Sequence, residues 1–248
     1  MPLTLLLGPA NCGKVALLLE RFVESLDAGQ TPFLVVPTRP DVELAEHDLV
    51  RRRPALLGGM IGTFDDLFER VLERCGESTA ALGSLERRLV LERAVRESDL
   101  ETLAAPARFA GFIDGLGRLF DDLAAASRPA QLERRLQRFA GPGRRGELAA
   151  LHGRYRGLLA ELATHDRGGL RGHAAELLDG RLEAWDDSPV LAYGFEDVTG
   201  VQLAALRALS ARCAVTVSLP YETGRPAFAA VRTAVEELTE TPHEAVEL

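Results

Sequence analysis

The chain has little cysteine, almost no lysine and no long apolar run in its 248 residues. The three cysteines, Cys12, Cys75 and Cys213, lie far apart without paired spacing, which excludes a disulfide framework and predicts a reducing compartment. No apolar run approaches the roughly 20 residues that cross a bilayer. The N-terminal apolar run is short and no basic segment precedes it, so we expect no signal peptide. We therefore expect a cytoplasmic protein without membrane contact.

Positive charge is also in deficit, with a formal net charge of −8. An autonomous nucleic-acid-binding protein usually carries a basic face, so this class is disfavoured. Arginine clusters occur at 51–53, 87–88, 134–138 and 144–145, and each is more simply a solvated helix face balanced by nearby glutamates. Apolar residues make up 46% of the chain, which is ordinary for a globular domain. DNA contact, where present, should be local and weak.

Lys14 is the single lysine among 29 basic residues, so 29 − 1 = 28 are arginine. It lies in a stretch that fits the P-loop pattern Gly-x-x-x-x-Gly-Lys-Ser/Thr at every position but the last. The stretch consists of Gly8, Pro9, Ala10, Asn11, Cys12, Gly13, Lys14 and Val15. A compact ammonium beside a phosphate is not replaced by a planar guanidinium, which explains why one lysine remains here. An ordinary turn before a helix is the alternative reading.

The segments around this loop predict an α/β parallel sheet. The apolar run 3–7 precedes the loop as a buried strand, and a helix over 14–27 follows it. Further strands are predicted at 32–36, 60–64, 189–193 and 214–219, and helices begin near Pro40, Asp65, Thr199 and Pro226. The last residues, 240–248, are predicted to begin a further element. Strand, glycine-bounded loop and helix is the context in which backbone N–H groups and a helix N-terminus hold a phosphate.

Strand signals are missing between Cys75 and Asp187, where only helical segments are predicted. The segments are 85–97, 106–126, 130–139, 147–164 and 170–184, with turn chemistry such as Gly141-Pro142-Gly143 between them. We therefore expect a RecA-like P-loop domain formed by 1–74 and 186–248, interrupted by a helical insertion subdomain over 75–185. His152, His165 and His173 lie in this block without metal-ligand spacing and are expected to be ordinary packing or surface residues.

Three stretches in this order resemble the first RecA-like domain of UvrD/Rep-type superfamily 1 helicases. The first is the P-loop; the second contains Thr38 and Arg39 after a strand; the third contains Thr63 and Phe64, followed by Asp65 where the family usually has histidine. In that family a helical subdomain is inserted after the third stretch. The resemblance implies that Thr38, Arg39, Thr63 and Phe64 lie in loops that face single-stranded DNA.

The chain most resembles the B subunit of AddAB-type helicase–nucleases, whose N-terminal region is similar to a degenerate helicase domain. The stretch 194–199 with Gln202 is similar to the Gly-Phe…Thr…Gln stretch that those subunits carry in place of a Walker B motif. The resemblance implies a role in DNA repair or recombination with a helicase–nuclease partner subunit. It places Tyr193 and Gly194 where an active enzyme has Asp and Glu.

These departures predict a domain that does not hydrolyse ATP. Val15 lacks the hydroxyl that holds Mg²⁺, and Tyr193-Gly194 cannot organise the metal or position water through side chains. The P-loop can still be expected to bind ATP, phosphate or sulfate, but no catalytic residue and no metal ligand is assigned. The alternatives are an active ATPase that uses Lys14 with an unorthodox Mg²⁺ site and, disfavoured by the helicase-like segment order, a small-molecule kinase or transferase.

Overall fold

A computed structural model describes residues 3–53 and 57–248. The described chain forms two compact units, Met1–Glu77 with Leu177–Leu248 and Ser78–Glu176. The first unit is α/β and the second is helical, as the pattern of strand signals predicted. The domain bounds of 74 and 185, and the roles given to the two domains, stay predictions.

The α/β unit is built on a six-stranded sheet in the order β3-β2-β4-β5-β1-β6, in which every pairing is parallel. The strands are β1 (Leu3–Gly8), β2 (Phe33–Val35), β3 (Met60–Gly62), β4 (Val190–Ala192), β5 (Val215–Pro220) and β6 (His243–Glu247). This confirms the predicted α/β class and is consistent with a RecA-like parallel fold. The predicted strands coincide with β1 to β5 within one or two residues at each end.

Helices connect the strands and cover the sheet. In this unit they are α1 (Lys14–Asp27), α2 (Arg39–Arg52), α3 (Phe64–Cys75), α9 (Gly200–Ser210) and α10 (Ala229–Thr239), with 3-10 turns at Leu182–Ala184 and Pro226–Phe228. Leu18, Phe22 and Leu26 recur every four residues on α1 and pack with Leu34 of β2 and Leu191 of β4. This apolar face holds α1 against the sheet and thereby fixes the loop that joins β1 to α1.

The sixth strand corrects the sequence-based reading, which expected only the beginning of an element over 240–248. β6 pairs with β1 in parallel register, with Leu3 opposite His243 and Leu7 opposite Glu247. The residues of β6 are exposed except Val246, which is half-buried, because β6 is an edge strand with a polar sequence. An edge strand needs no continuous apolar run, so periodicity alone gave no strand signal.

The helical unit contains α4 (Ser84–Arg96), α5 (Ala110–Ala126), α6 (Pro129–Gln137), α7 (Arg144–Glu161) and the first part of α8 (Arg167–Gly180), with a 3-10 turn at Pro106–Arg108. Its core lies mainly between α4, α5 and α7, where Leu91, Leu116, Phe120, Leu151 and Leu158 are buried. Within residues 78–176 the structure describes no strand, only a single parallel bridge between Ala81 and His165. The expected absence of strands in this part of the chain is therefore confirmed for the described residues.

Candidate functional site

The candidate site residues of the α/β unit lie on loops that leave one edge of the sheet. Because all six strands are parallel, their carboxyl ends meet at the same edge, which is where ligands bind in open α/β sheets. The candidate P-loop follows β1 there, while the candidate DNA residues follow β2 and β3. Since β4 and β5 lie between β1 and β2, the two candidate sites occupy different halves of this edge.

The backbone of the candidate P-loop adopts left-handed conformations at Gly13 and Asn11. Gly13 has φ 95° and directly precedes α1, and Asn11 has φ 62°, a conformation that asparagine tolerates better than most residues. At Gly8 a Cβ would collide with the carbonyl oxygen of Leu248 and would lie 2.9 Å from Sγ of Cys12. The glycine at position 8 is therefore required by close packing of the loop against the strand end.

Lys14 points back into its own loop. Its Nζ donates to the carbonyl oxygens of Gly8 at 2.7 Å and Pro9 at 2.5 Å, and it lies 3.2 Å from Sγ of Cys12. The side chain is only 8% exposed. An ammonium has three donors, so these three acceptors satisfy it within the protein. The carbonyl of Gly8 also accepts from the backbone N–H of Tyr221.

This arrangement has a direct chemical consequence for phosphate binding. A phosphate at the loop would gain the help of Lys14 only if the ammonium left its contacts with Gly8 and Pro9. Val15 follows at 39% exposure and offers no oxygen to a metal ion. Ala10 and Asn11 are exposed at the tip of the loop, and Cys12 is half-buried beneath it. The loop 8–15 therefore joins β1 to α1 with its lysine bonded to carbonyl oxygens of the same loop in this conformation.

The end of β4 carries no carboxylate. Tyr193 follows the strand directly, half-buried, and its backbone N–H donates to the carbonyl of Val35. Burial, and to a smaller extent the carboxylates of Asp41 and Asp48, raises the pKa of the Tyr193 phenol, so the group stays neutral. Gly194 has φ 87°, and a Cβ there would lie 3.2 Å from Cδ of Pro37.

The next carboxylates, Glu196 and Asp197, are exposed beyond the strand end. Phe195, which precedes them, is buried and packs against Phe64 with ring centroids 5.0 Å apart. The two carboxylates therefore lie in a loop beyond the strand. No metal-binding group of three or more His, Cys, Asp or Glu side chains occurs among residues 3–53 and 57–248.

The threonines of the candidate DNA loops cap helices. Thr38 is the N-cap residue directly before α2, and its hydroxyl donates to Oδ2 of Asp41 at 2.6 Å. Thr63 is the N-cap residue directly before α3, and both its backbone N–H and its hydroxyl donate to Oδ2 of Asp66, at 2.6 and 2.8 Å. Each threonine belongs to a capping box, in which the residue at the helix start and the residue three positions later bond reciprocally. Both threonines therefore have a structural role as helix N-caps.

Of the four candidate DNA residues, Arg39 is the one with an exposed charge. Its side chain is 70% exposed while its guanidinium lies 2.5 Å from Oδ1 of Asp66. Phe64 is 4% exposed and packs against Phe68 and Phe195, so its ring is not available for stacking on a base. The structure brings Arg39 and Thr63 together through Asp66, which bonds to both.

Sequence reasoning missed the role of Asp66, which accepts from Thr63 and Arg39 and so connects the loop after β2 to the start of α3. The signal was present in the sequence, because Thr38-x-x-Asp41 and Thr63-x-x-Asp66 both have the spacing of a capping box. The sequence-based reading placed the start of α3 near Asp65 and assigned no role to Asp66. The Arg39 contact joins residues 27 positions apart and has no local signal.

The helical unit contains a buried polar network. Asp166 is 6% exposed and accepts from the hydroxyl of Tyr155 and the backbone N–H of Gly169, both at 2.7 Å. Arg87 donates to the hydroxyl of Tyr155 at 3.2 Å and forms a bidentate ion pair with Asp121 at 2.8 and 3.1 Å. Burial raises the pKa of the Tyr155 phenol, and the nearby charge of Asp166 raises it further. The network ties α4, α5, α7 and the start of α8 together.

The histidines of this unit behave as packing residues. His152 stands edge-on to Phe120 with centroids 4.9 Å apart, and burial, aided by the charge of Arg156, lowers its pKa to about 4. His165 and His173 stack with centroids 5.3 Å apart.

In the part of the chain that the structure describes, no helix is both long and apolar enough to cross a membrane.

Comparison with known protein families matches residues 5–238 to the family described as "ADDB, N-terminal". The matched range begins in β1, contains the loop 8–15 and the whole helical unit, and ends in α10. A comparison with curated proteins gives no match. Since the family match covers most of the 248 residues, the chain belongs to the ADDB N-terminal family.

Proposed function

We propose that this chain is the helicase-like N-terminal region of a helicase–nuclease subunit in DNA repair and recombination, and that it is catalytically inactive. Membership of the ADDB N-terminal family supports the first part, since it indicates an AddB-like subunit that works in a complex with a helicase–nuclease partner. We also propose descent from a UvrD/Rep-type domain, with 75–185 as its helical insertion. The parallel sheet, with β1 between β5 and β6, supports this.

The proposal of inactivity rests on the hydrogen bonds that Lys14 makes within its own loop and on the residue types that follow β4. The ammonium is bound by acceptors of its own loop. The family resemblance aligns Tyr193 and Gly194 with the metal-organising and water-positioning carboxylates of an active enzyme. Phosphoryl transfer is catalysed almost entirely by positioning and by electrostatic stabilisation through the metal and cations. Loss of these parts together should lower the rate by several powers of ten, each corresponding to about 1.4 kcal/mol of barrier.

The test is phosphate release from Mg-ATP in the presence of single-stranded DNA, with wild type, Lys14→Ala and Val15→Thr. We expect no turnover above background in any of them, because Val15→Thr restores a metal ligand but no carboxylate. Turnover in the wild type that disappears in Lys14→Ala would establish an active ATPase and overturn the proposal.

The intact strand–loop–helix arrangement supports the second candidate function, an ATPase that retains nucleotide binding. The backbone N–H groups before α1 can hold a phosphate, sulfate or the phosphates of ATP without a metal, because a helix N-terminus favours anions. Calorimetric titration with ATP, ADP and inorganic phosphate separates binding from hydrolysis. Under the leading proposal binding is weak and unaffected by Mg²⁺.

The proposed contact with single-stranded DNA is weak and local. Arg39 supports it, since it is the exposed cation in the loops after β2 and β3, whereas Phe64 is buried and both threonines cap helices. Anisotropy of a labelled oligonucleotide should rise at low salt and fall back steeply as salt is added. Arg39→Gln should weaken binding at low salt, and the exposed Arg51→Gln serves as the matched control. Unchanged anisotropy with the wild type would exclude this contact.

The proposed setting of the complex is the cytoplasm. All three cysteines are free, and Cys75 and Cys213 are buried. Burial raises the pKa of the Cys213 thiol to about 12, which keeps it protonated and unreactive. This is the state that a reducing compartment would maintain.

A further inference from the structure

A concentration of positive charge lies on α6 and on the start of α7. Residues 134–145 contain five arginines and no aspartate or glutamate, so their net charge is 5 − 0 = +5. Since the whole chain has a net charge of −8, the remainder carries −8 − 5 = −13. All five arginines are exposed, and together they form what we call the arginine surface: Arg134, Arg135, Arg138, Arg144 and Arg145.

The structure corrects the expectation that nearby glutamates balance every arginine cluster. The expectation is right for Arg88, whose guanidinium lies 3.0 Å from both Glu92 and Asp114. In the part of the chain that the structure describes, however, no residue of the arginine surface forms an ion pair. Glu147, the next carboxylate along the chain, accepts instead from two backbone N–H groups of the segment before α5, at 2.8 and 2.9 Å.

The geometry of α6 separates its arginines from its carboxylate. An α-helix turns about 100° per residue, so residues four positions apart share a face while neighbours diverge. Leu132, Glu133 and Leu136 line a cavity inside the helical unit. Arg134 and Arg138, four positions apart, lie on a different face, which is exposed to solvent. The arginine side of α6 is therefore open to a partner.

An exposed aromatic ring lies beside these arginines. Phe139 follows α6, and its backbone N–H donates to the carbonyl of Leu136 at 2.9 Å, so the turn after the helix fixes its position. The guanidinium of Arg145, at the start of α7, lies 5.8 Å from the centroid of the Phe139 ring. The phenylalanine is nevertheless 46% exposed. This contact joins the arginines of α7 to those of α6.

Helix stability does not explain the two arginines of α7. Arg144 and Arg145 are the first two residues of that helix, where the helix dipole disfavours positive charge. Neither has a carboxylate partner among the described residues. A phosphate bound at this surface would offset the unfavourable charge, because its oxygens accept charge-assisted hydrogen bonds from guanidinium groups.

Exposed arginines beside an exposed ring meet the two requirements of a site for single-stranded nucleic acid. Such sites combine cations that follow the phosphate backbone with aromatic side chains on which bases stack. A duplex would satisfy the arginines equally well. Its bases are already stacked on one another, however, so a duplex would leave the ring of Phe139 unused. The ring therefore favours a single strand.

We propose that the arginine surface binds single-stranded DNA, with guanidinium groups on the phosphates and a base stacked on Phe139. This surface belongs to the helical unit, whereas Arg39 and the loop 8–15 belong to the α/β unit. The proposal therefore goes beyond the contact at Arg39 and needs no nucleotide at the loop. Its acidic surroundings confine the contact to a short stretch of strand.

The first test measures the anisotropy of a short labelled oligothymidylate against the whole chain at several salt concentrations. Each phosphate contact contributes about −0.7 to the slope of log K against log salt for a single strand. The double variant Arg134→Gln/Arg138→Gln should reduce that slope by about 1.4 and weaken binding at low salt by about tenfold. The matched control is Arg96→Gln/Arg108→Gln, which removes two exposed arginines of the same unit and should change neither quantity.

The second test concerns the ring. Phe139→Ala should weaken binding at least about fivefold through the loss of one stacked base, and the salt slope should not change because no charge is lost. Phe139→Leu keeps an apolar side chain without a π face and should behave like Phe139→Ala. Phe139→Trp should bind at least as tightly as the wild type.

The contact at Arg39 is separated by measuring Arg39→Gln in the same series. Loss of binding in Arg39→Gln, with the double variant Arg134→Gln/Arg138→Gln binding like the wild type, would overturn the arginine surface and leave the earlier contact standing. The reverse pattern supports the arginine surface and removes the contact at Arg39. No binding by the wild type, unchanged binding by Phe139→Ala, or equally tight binding of a duplex of the same length would also overturn the proposal.

Discussion

Replacement of Lys14 by methionine tests whether this lysine has become a structural residue. Methionine retains most of the volume and the apolar stem but removes the ammonium, which donates to Gly8 and Pro9 at 2.7 and 2.5 Å. In a working P-loop the same change would abolish phosphate contact and leave stability nearly unchanged. In this chain we expect the opposite result, a loss of stability with no change in nucleotide response.

The magnitude follows from the two carbonyl acceptors. Hydrogen bonds to charged groups contribute about 1.5–3 kcal/mol each, so two of them amount to about 3–6 kcal/mol before opposing terms. Removing a buried ammonium relieves its desolvation, and Gly8 keeps its bond from the N–H of Tyr221. We therefore expect a net loss of about 2 kcal/mol. At about 2–4 °C per kcal/mol for a chain of this size, the melting temperature should fall by about 4–8 °C.

The fluorescence of Trp185 reports this change, because it is the single tryptophan, is 2% exposed and lies in the same unit as Lys14. Thermal unfolding is measured for the wild type and Lys14→Met, each with and without Mg-ATP. Arg51→Met, a change of an exposed cation on α2, is the matched control and should stay within about 0.5 kcal/mol of the wild type. An unchanged melting temperature, combined with a stabilisation by Mg-ATP that only the wild type shows, would refute the structural role of Lys14.

Two further predictions concern capping and pH. Asp66→Ala removes the acceptor of Thr63 and Arg39 and should cost about 0.5–2 kcal/mol in urea unfolding, whereas the exposed Glu69→Ala should have little effect; equal effects would contradict the role of Asp66. Since burial lowers the pKa of His152 from 6.5 to about 4, the unfolded chain binds the proton more readily, and stability should fall as the pH drops through this window. The slope from this one group is at most about 1.4 kcal/mol per pH unit, and His152→Gln should flatten it when hydrogen exchange of α5 and α7 is followed.

The sequence by itself determined the parts of this protein that depend on neighbouring residues. The apolar run of β1, the two glycines and the apolar face of α1 specified strand, loop and helix, because each signal lies within a few positions of the chain. The loss of strand signals after Cys75 likewise predicted the helical unit. The departures at Val15 and Tyr193 were readable because a missing oxygen or carboxylate is a property of the residue type.

Only the tertiary structure shows which contacts these residues make. The sequence predicted that Lys14 faces a phosphate, but in the folded loop it bonds to Gly8 and Pro9. Phe64 matched a DNA-facing motif, yet it is buried against Phe195, which lies more than a hundred residues later in the chain. Such contacts depend on the order in which strands assemble and on packing between distant segments. Local periodicity contains no information about either, so burial and charge pairing became visible only in the folded chain.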